Sequence, residues 1–164
     1  MRTIDLNADL GEVVDGTATA DDTAMLDLVS SASIARGGHA GDAASMRTAV
    51  IGARERGVAV GAHPSYPDRA GFGRQSMVMD AGALRASVTS QLEALRVAGA
   101  DIRYVKPHGA LYHDAGSRAE IAVLIVDAVQ TLSRDLGRDV PILADGPALA
   151  AACADAGVPF VREA

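Results

Sequence analysis

The chain has 164 residues, and its 49% hydrophobic content is enough to build the core of one domain. A formal net charge of −6 argues against a nucleic-acid surface, which would need a basic patch, and the single cysteine, Cys153, excludes an intrachain disulfide. No apolar run approaches the roughly 18 residues of a membrane helix and no signal-peptide pattern is visible, so we expect a cytoplasmic protein with no membrane or nucleic-acid partner.

Predicted strands and helices alternate along the whole chain. The strands are predicted over residues 2–6, 32–35, 58–62, 102–106, 140–144 and 159–161. Between them, helices are predicted to begin near residues 21, 42, 80, 117 and 147, the fourth at a capping box formed by residues 117–120. Gly57, Gly99, Gly137 and Gly157 stand where the last four helices should end. This alternation predicts an α/β fold with a parallel sheet.

Polar residues follow the ends of the predicted strands and not their starts. A doubly wound sheet would place ligand groups mainly at one switch point, whereas here at least four strand ends carry them. We therefore expect a distorted parallel β/α barrel, whose catalytic groups lie at the carboxyl ends of its strands. Six strands in about two thirds of the roughly 250 residues of a typical barrel predict a single domain that forms the N-terminal part of a larger barrel.

Three histidines come just after apolar runs. His39 lies in a glycine-rich loop, His63 precedes a proline, and His108 follows Lys106 by two residues, so both could face one substrate. A satisfied core histidine is the competing interpretation for His63, and His113 is more typical of an exposed residue. The long loop of residues 64–74 is a candidate lid.

Acidic residues cluster in the first motif. Asp5, Asn7 and Asp9 alternate and would share one face of an extended strand. Glu12 is either a general base or a solvated loop charge. Asp42 has a sufficient structural explanation as a helix N-cap, and a functional role for it stays equally open. Aspartate with several histidines also suits a divalent metal with an open position, and the candidate ligands are Asp9, His39, His63 and His108.

Two further features concern ligands. Arg74, in a Gly-Phe-Gly-Arg segment, could clamp a carboxylate or phosphate, or form a surface salt bridge. The sequence has neither a P-loop nor a Gly-x-Gly-x-x-Gly loop, so we expect no nucleotide cradle of its own.

Five ordered segments, residues 5–12, 38–42, 61–68, 71–74 and 105–112, resemble the LamB/YcsF family, to which the A subunit of bacterial 5-oxoprolinase belongs. The resemblance implies a distorted barrel similar to that of polysaccharide deacetylases, and ATP-dependent opening of the 5-oxoproline lactam to L-glutamate. It also implies partner subunits B and C, and it leaves a homo-oligomer open. The family usually has Asn, Cys and a larger apolar residue where this chain has Ser33, Arg36 and Gly38, and it continues past residue 163.

The resemblance and the missing nucleotide loop lead to a mechanistic hypothesis in which partner subunits phosphorylate the lactam oxygen and this barrel hydrolyses the product. Asp9 or Glu12 with a histidine would activate water, and His108 would protonate the leaving nitrogen. The expected catalytic residues are Asp9, Glu12, His39, His63, Lys106 and His108. The expected substrate-binding residues are Asp5, Asn7, Asp42, Tyr66 and Arg74.

Two rival hypotheses stay open. The first is a metal-dependent, deacetylase-like hydrolase of a carbohydrate or another amide. The second is a shortened, non-catalytic copy that only binds partners or substrate.

Overall fold

A computed structural model describes residues 4–163 of the chain. The strands are β1 (Asn7–Leu10), β2 (Val13–Val14), β3 (Thr17–Ala18), β4 (Ser31–Ala35), β5 (Ala59–His63), β6 (Ile102–Val105), β7 (Ile142–Ala144) and β8 (Phe160–Arg162). The helices are α1 (Asp22–Leu26), α2 (Ala43–Arg56), α3 (Ala81–Val97), α4 (Gly109–Ser117), α5 (Ala119–Leu136) and α6 (Pro147–Ala156).

Six strands form one parallel sheet in the order β1-β4-β5-β6-β7-β8, and β2 and β3 form a separate hairpin. The strand order follows the chain without a reversal, so the sheet has no topological switch point. Such winding is that of a β/α barrel and confirms the predicted fold class.

The register of the sheet gathers the carboxyl ends of its strands at one edge. Leu10 of β1 pairs with Ile34 of β4, and Ala35 of β4 pairs with His63 of β5. Ala62 of β5 in turn pairs with Val105 of β6. The loops after these strands therefore meet, which brings residues distant in sequence into one cluster.

Helices cover the outer face of the sheet through small and branched apolar side chains. The predicted stripe of α3, Leu84, Val88, Leu92 and Leu95, is fully buried, and α3 packs against α5. Cys153 of α6 is buried as well. None of the helices within residues 4–163 is long and apolar enough to span a membrane.

Helix ends follow local chemistry where a cap is available. The Asp42 carboxylate accepts hydrogen bonds from the backbone N–H groups of Ala44 and Ser45, and the Asp80 carboxylate accepts one from Ala83. Gly57, Gly137 and Gly157 end their helices in the left-handed conformation. These ends confirm the predicted boundaries, except that α3 ends at Val97 with Ala98 as its cap.

The predicted first strand was wrong. Residues 2 and 3 lie outside the described part of the chain, and the strand begins only at Asn7, just after the predicted strand of residues 2–6 ends. Leu6 instead bonds to the first residue of β4 and the residue before it, since its carbonyl accepts from the N–H groups of Ser31 and Ser30. The polar run from Asn7 forms the strand because its backbone pairs with β4, a long-range contact that local pattern does not reveal.

The predicted capping box at residues 117–120 was also wrong. Ser117 ends α4, a helix absent from the prediction, and its hydroxyl donates to the His113 carbonyl within that helix. Arg118 is the cap of α5 and makes no side-chain capping bond there. The hairpin of β2 and β3 is likewise absent from the predicted elements.

Candidate active site

Three histidine rings and a carboxylate converge at the carboxyl edge of the sheet. His63 ends β5, His39 lies in the loop after β4, and His108 precedes α4, and all three are at least 94% buried. The rings of His39 and His108 stack with centroids 3.6 Å apart. His63 meets both rings edge-on, and Glu12 closes the group from the loop after β1.

The polar atoms of these residues lie close together. His63 Nε2 is 2.9 Å from His108 Nδ1, and His39 Nε2 is 3.1 Å from Glu12 Oε1. Glu12 Oε1 is also 3.9 Å from His108 Nδ1. One atom from each of the four residues lies within 4.8 Å of the others, so the group could hold a metal ion. The carboxylate in this group belongs to Glu12, whereas the sequence predicted Asp9 as the carboxylate ligand.

Backbone carbonyls hold two of the rings from behind. His63 Nδ1 donates to the Lys106 carbonyl over 2.8 Å, and His108 Nε2 donates to the Phe72 carbonyl over 2.9 Å. His39 Nδ1 is buried and has no hydrogen-bond partner within residues 4–163. The rings are thus fixed in orientation, with one nitrogen left unsatisfied.

A lysine and two further carboxylates lie next to the histidines. Lys106 Nζ lies 3.2 Å from Asn7 Oδ1, 3.4 Å from Asp9 Oδ1 and 3.2 Å from Glu163 Oε1. The second Asp9 oxygen is 3.4 Å from His63 Nε2. Asp9 therefore connects the lysine to the histidine group.

A network of hydroxyl groups contacts Asn7 and Asp5. Asn7 donates to the Ser31 and Tyr104 hydroxyls, each over 2.6 Å, and its carbonyl oxygen accepts from the Ser33 hydroxyl over 2.9 Å. The Ser31 hydroxyl also donates to Asp5 over 2.7 Å. Asp5 precedes β1, yet it reaches the same network as Asn7, as expected from their alternation.

Both acids and two of the histidines in the cluster have lowered pKa values. Burial alone would raise the pKa of Asp9, but contact with His63 and the charge of Lys106 outweigh it and hold that pKa well below its usual range. Burial would likewise raise the pKa of Glu12, but contact with the histidines, His39 above all, lowers it overall. Burial lowers the pKa of His39 and, with the neighbouring rings, lowers that of His108 to about 4. Near pH 7 both carboxylates are therefore ionised.

The loop of residues 64–74 closes over the histidines. Phe72 adopts a left-handed φ of +54°, and its ring meets His39 and His108 edge-on at 5.2 and 5.4 Å between centroids. A Cβ at Gly73 would lie 2.8 Å from His39 Cβ and 3.0 Å from His108 Cδ2. Only glycine lets the loop approach the rings this closely.

Three expected substrate-binding residues make their described contacts elsewhere. Asp42 is exposed and caps α2. Tyr66 is fully buried, and its hydroxyl donates to Asp114 over 2.7 Å. Arg74 is exposed and lies over the Phe72 ring at 5.2 Å. Their roles in substrate binding stay predictions that no hydrogen bond to the cluster supports within the described range.

The two unusual residues of the His39 loop differ in their effects. Arg36 is 94% buried, and none of its three guanidinium nitrogens has a partner in the described part of the chain. Burial lowers its pKa to about 9. A Cβ at Gly38 would lie 2.5 Å from Gln91 Oε1 and closer still to the Ser65 hydroxyl, so a larger residue here would require both to move.

Several residues of the site were not expected from the sequence. Glu163 follows β8 and could have been found by the strand-end rule that selected Lys106. Tyr104 has the pattern of a core residue of β6, and Ser31 and Ser33 that of ordinary small residues of β4. The Phe72 carbonyl belongs to the backbone and leaves no side-chain signal.

Residues 4–164 match the model of the LamB/YcsF family. The chain is 46% identical to the 5-oxoprolinase A subunit of Cutibacterium acnes over 87% of this chain and 57% of that protein. It is 47% identical to the 5-oxoprolinase A subunit of Nocardia farcinica over 98% of this chain and 64% of that one. The chain thus spans less than two thirds of the length of these relatives.

Solved structures agree with the sequence comparison. The crystal structure of the lactam utilization protein from Thermus thermophilus is 38% identical and superimposes with a TM-score of 0.92, covering 99% of this chain and 66% of that one. The carboxyl transferase domain of Rhizobium etli pyruvate carboxylase, 13% identical with a TM-score of 0.56 over 86% of this chain and 22% of that chain, shares the fold alone. By family match, identity and superposition, the chain belongs to the LamB/YcsF family.

Proposed function

We propose that this chain carries the hydrolytic site of an ATP-dependent 5-oxoprolinase, which opens the 5-oxoproline lactam to L-glutamate. The proposal rests on one observation, which is that three histidines, two ionised carboxylates and a lysine converge at one edge of the sheet. The names of its relatives, the A subunit of 5-oxoprolinase and the lactam utilization protein, support this substrate.

Lactam chemistry explains why ATP and partners are needed. An amide carbonyl is a poor electrophile, and phosphorylation of its oxygen turns that oxygen into a good leaving group. The sequence has no recognised nucleotide loop, so the phosphoryl transfer belongs to partner subunits, which correspond to B and C. Consumption of ATP favours a cytoplasmic location.

Glu12 is the better placed general base of the two carboxylates. Asp9 is held between Lys106 and His63, whereas Glu12 contacts His39 and His108 through one oxygen. An ionised carboxylate can take a proton from water as the water oxygen bonds to the lactam carbon. The ring C–N bond then breaks as the nitrogen takes a proton, which leaves an acyl phosphate. A second water attacks the same carbon, phosphate leaves with the former lactam oxygen, and the glutamate carboxylate is formed.

Glu12 can also return that proton to the leaving nitrogen. This assignment differs from the expectation that His108 is the acid, because one nitrogen of His108 donates to the Phe72 carbonyl and the other faces His63. Lys106 remains charged, because Asp9 and Glu163 raise its pKa although burial would lower it. Its ammonium group suits the phosphate or carboxylate of the substrate.

The length of the relatives bears on the architecture. The chain covers 64% of the Nocardia farcinica protein and 66% of the Thermus thermophilus chain. We therefore keep the proposal that these residues form about the N-terminal two thirds of the barrel in which the site operates.

The test is production of glutamate from 5-oxoproline and ATP by the purified chain with candidate B and C subunits. Glutamate should form only with all components, and Glu12→Gln should lower the rate by about 10²-fold or more. His113→Ala, which changes an exposed histidine outside the cluster, is the matched control. Undiminished turnover in Glu12→Gln would remove Glu12 from the mechanism, and absence of glutamate in the complete assembly would favour a binding role.

The four-residue group also favours a second candidate, a metal-dependent hydrolase of another amide. That activity would need neither ATP nor partner subunits. Hydrolysis of an acetylated sugar or simple amide by the chain alone would identify it.

A further inference from the structure

The protons of two histidines are fixed by the backbone. A carbonyl oxygen can only accept a hydrogen bond, so His63 carries its proton on Nδ1, facing the Lys106 carbonyl. By the same reasoning His108 carries its proton on Nε2, facing the Phe72 carbonyl. In the neutral rings, His63 Nε2 and His108 Nδ1 are therefore both left with lone pairs.

These two lone pairs point at each other. His63 Nε2 and His108 Nδ1 are 2.9 Å apart, a hydrogen-bond distance at which one nitrogen must donate. The Asp9 carboxylate adds a further acceptor 3.4 Å from His63 Nε2. Such a concentration of acceptors is stabilised by a cation, either a proton held between the rings or a metal ion beside them.

The surroundings favour a metal ion over a single proton. His39 and Glu12 bring two more ligand-type atoms, and one atom from each of the four residues lies within 4.8 Å of the others. Tetrahedral ligands at zinc–nitrogen distances of about 2.0–2.1 Å are separated by about 3.4 Å, and three contacts within the group, at 2.9, 3.1 and 3.9 Å, bracket that value. A proton shared between His63 and His108 would account for only one of these contacts.

The hydrogen bonds behind the rings have the form that metal-binding histidines require. Such histidines donate their other N–H to a carbonyl or carboxylate, which fixes the ring and its tautomer. His63 and His108 both do so. The Phe72 carbonyl is presented by a residue held at a left-handed φ of +54°, and strain of this kind persists mainly at functional sites.

We infer that His39, His63 and His108 bind a divalent transition-metal ion of the zinc class, with Glu12 as the anionic fourth group of the site. Three imidazole nitrogens and one carboxylate, without thiolate, are a donor set typical of zinc. The inference goes beyond the proposed function, because it holds whichever amide the site hydrolyses.

The test measures metal binding directly. The purified chain is stripped with a chelator, dialysed into metal-free buffer and titrated with zinc chloride by calorimetry, with bound zinc counted by mass spectrometry. We expect about one zinc ion per chain, and a visible absorption band when cobalt replaces zinc. His63→Ala should weaken binding by about 10²-fold or more, because loss of even a hydrogen-bond partner behind a ligand weakens it about 10- to 100-fold.

Two further variants test whether a loss of zinc binding comes from loss of a ligand. Glu12→Gln keeps the side-chain shape and should still lower the affinity about tenfold or more, so the result does not depend on His63→Ala folding normally. His113→Ala should bind zinc as the unchanged chain does. The inference would be overturned if the stripped chain bound no zinc, or if His63→Ala and Glu12→Gln bound zinc as tightly as the unchanged chain. A proton shared between His63 and His108 would then be the remaining explanation. Neither outcome depends on oxoprolinase activity.

Discussion

Lys106 Nζ lies 3.2 Å from Glu163 Oε1, an ion pair that joins the end of β6 to the residue after β8. The same ammonium group lies 3.4 Å from Asp9 in β1, at the opposite end of the strand order. One side chain therefore reaches both ends of the sheet, which requires the sheet to curl as a barrel does.

We expect Lys106→Met to lower glutamate production by the assembled complex about 10²-fold or more, since loss of one positioned donor typically costs this much. The variant also leaves Asp9 and Glu163 facing each other without a cation. Circular dichroism should therefore accompany the rate measurement, and Lys106→Arg, which keeps the charge, should retain part of the activity. Equal rates for the Met variant and the unchanged chain would exclude a role in binding the reacting groups.

Gly73→Ala should reduce turnover at least about tenfold, because the added Cβ would displace the stacked rings of His39 and His108. Gly57→Ala is the matched control, since Gly57 has a similar φ of +68° but a Cβ added there would meet nothing within 4 Å. Both variants should lose about 1 kcal/mol of unfolding free energy or more from backbone strain, measured in urea. If Gly57→Ala loses as much turnover as Gly73→Ala, the contact with the rings is not the cause.

Arg36→Met should stabilise the fold by about 1–3 kcal/mol, because it removes a buried guanidinium that has no partner within the described residues. Urea unfolding at pH 7 measures the change. Arg54→Met, at an exposed position of α2, should shift the free energy by no more than about 0.5 kcal/mol. A destabilised Arg36→Met would contradict this prediction and show that the buried guanidinium contributes favourably to the fold.

Asp42→Asn should change how stability depends on pH. Backbone hydrogen bonds from Ser45 and Ala44 lower the pKa of Asp42 below 3.8, so its ionised form stabilises the folded state above that pH. This contribution is lost as the pH falls through the lowered folded-state pKa, whereas asparagine caps the helix without ionising. The unchanged chain should therefore exceed the variant in stability at pH 7, with a difference that shrinks below about pH 4. A constant difference between pH 7 and pH 3 would contradict this.

Local signals in the sequence predicted many of the helices and their ends. The apolar stripe of α3, the cap at Asp42 and the left-handed glycines at Gly57 and Gly157 depend on neighbours within a few residues, so pattern alone finds them. The strand-end rule likewise selected His39, His63, Lys106 and His108, which the structure brings to one edge. The substrate-binding role of Tyr66 stays a prediction, and its buried hydroxyl donates to Asp114.

The sequence by itself determined the alternation of strands and helices, and with it the residue types that follow each strand. Only the tertiary structure decided that polar Asn7 begins a strand, that Glu163 pairs with Lys106, and that the Phe72 carbonyl fixes the tautomer of His108. The reason is physical, since periodicity and capping act over a few residues, whereas strand register and loop closure set contacts between distant ones. The facing lone pairs of His63 and His108 arise from that closure and appear nowhere in the order of residues.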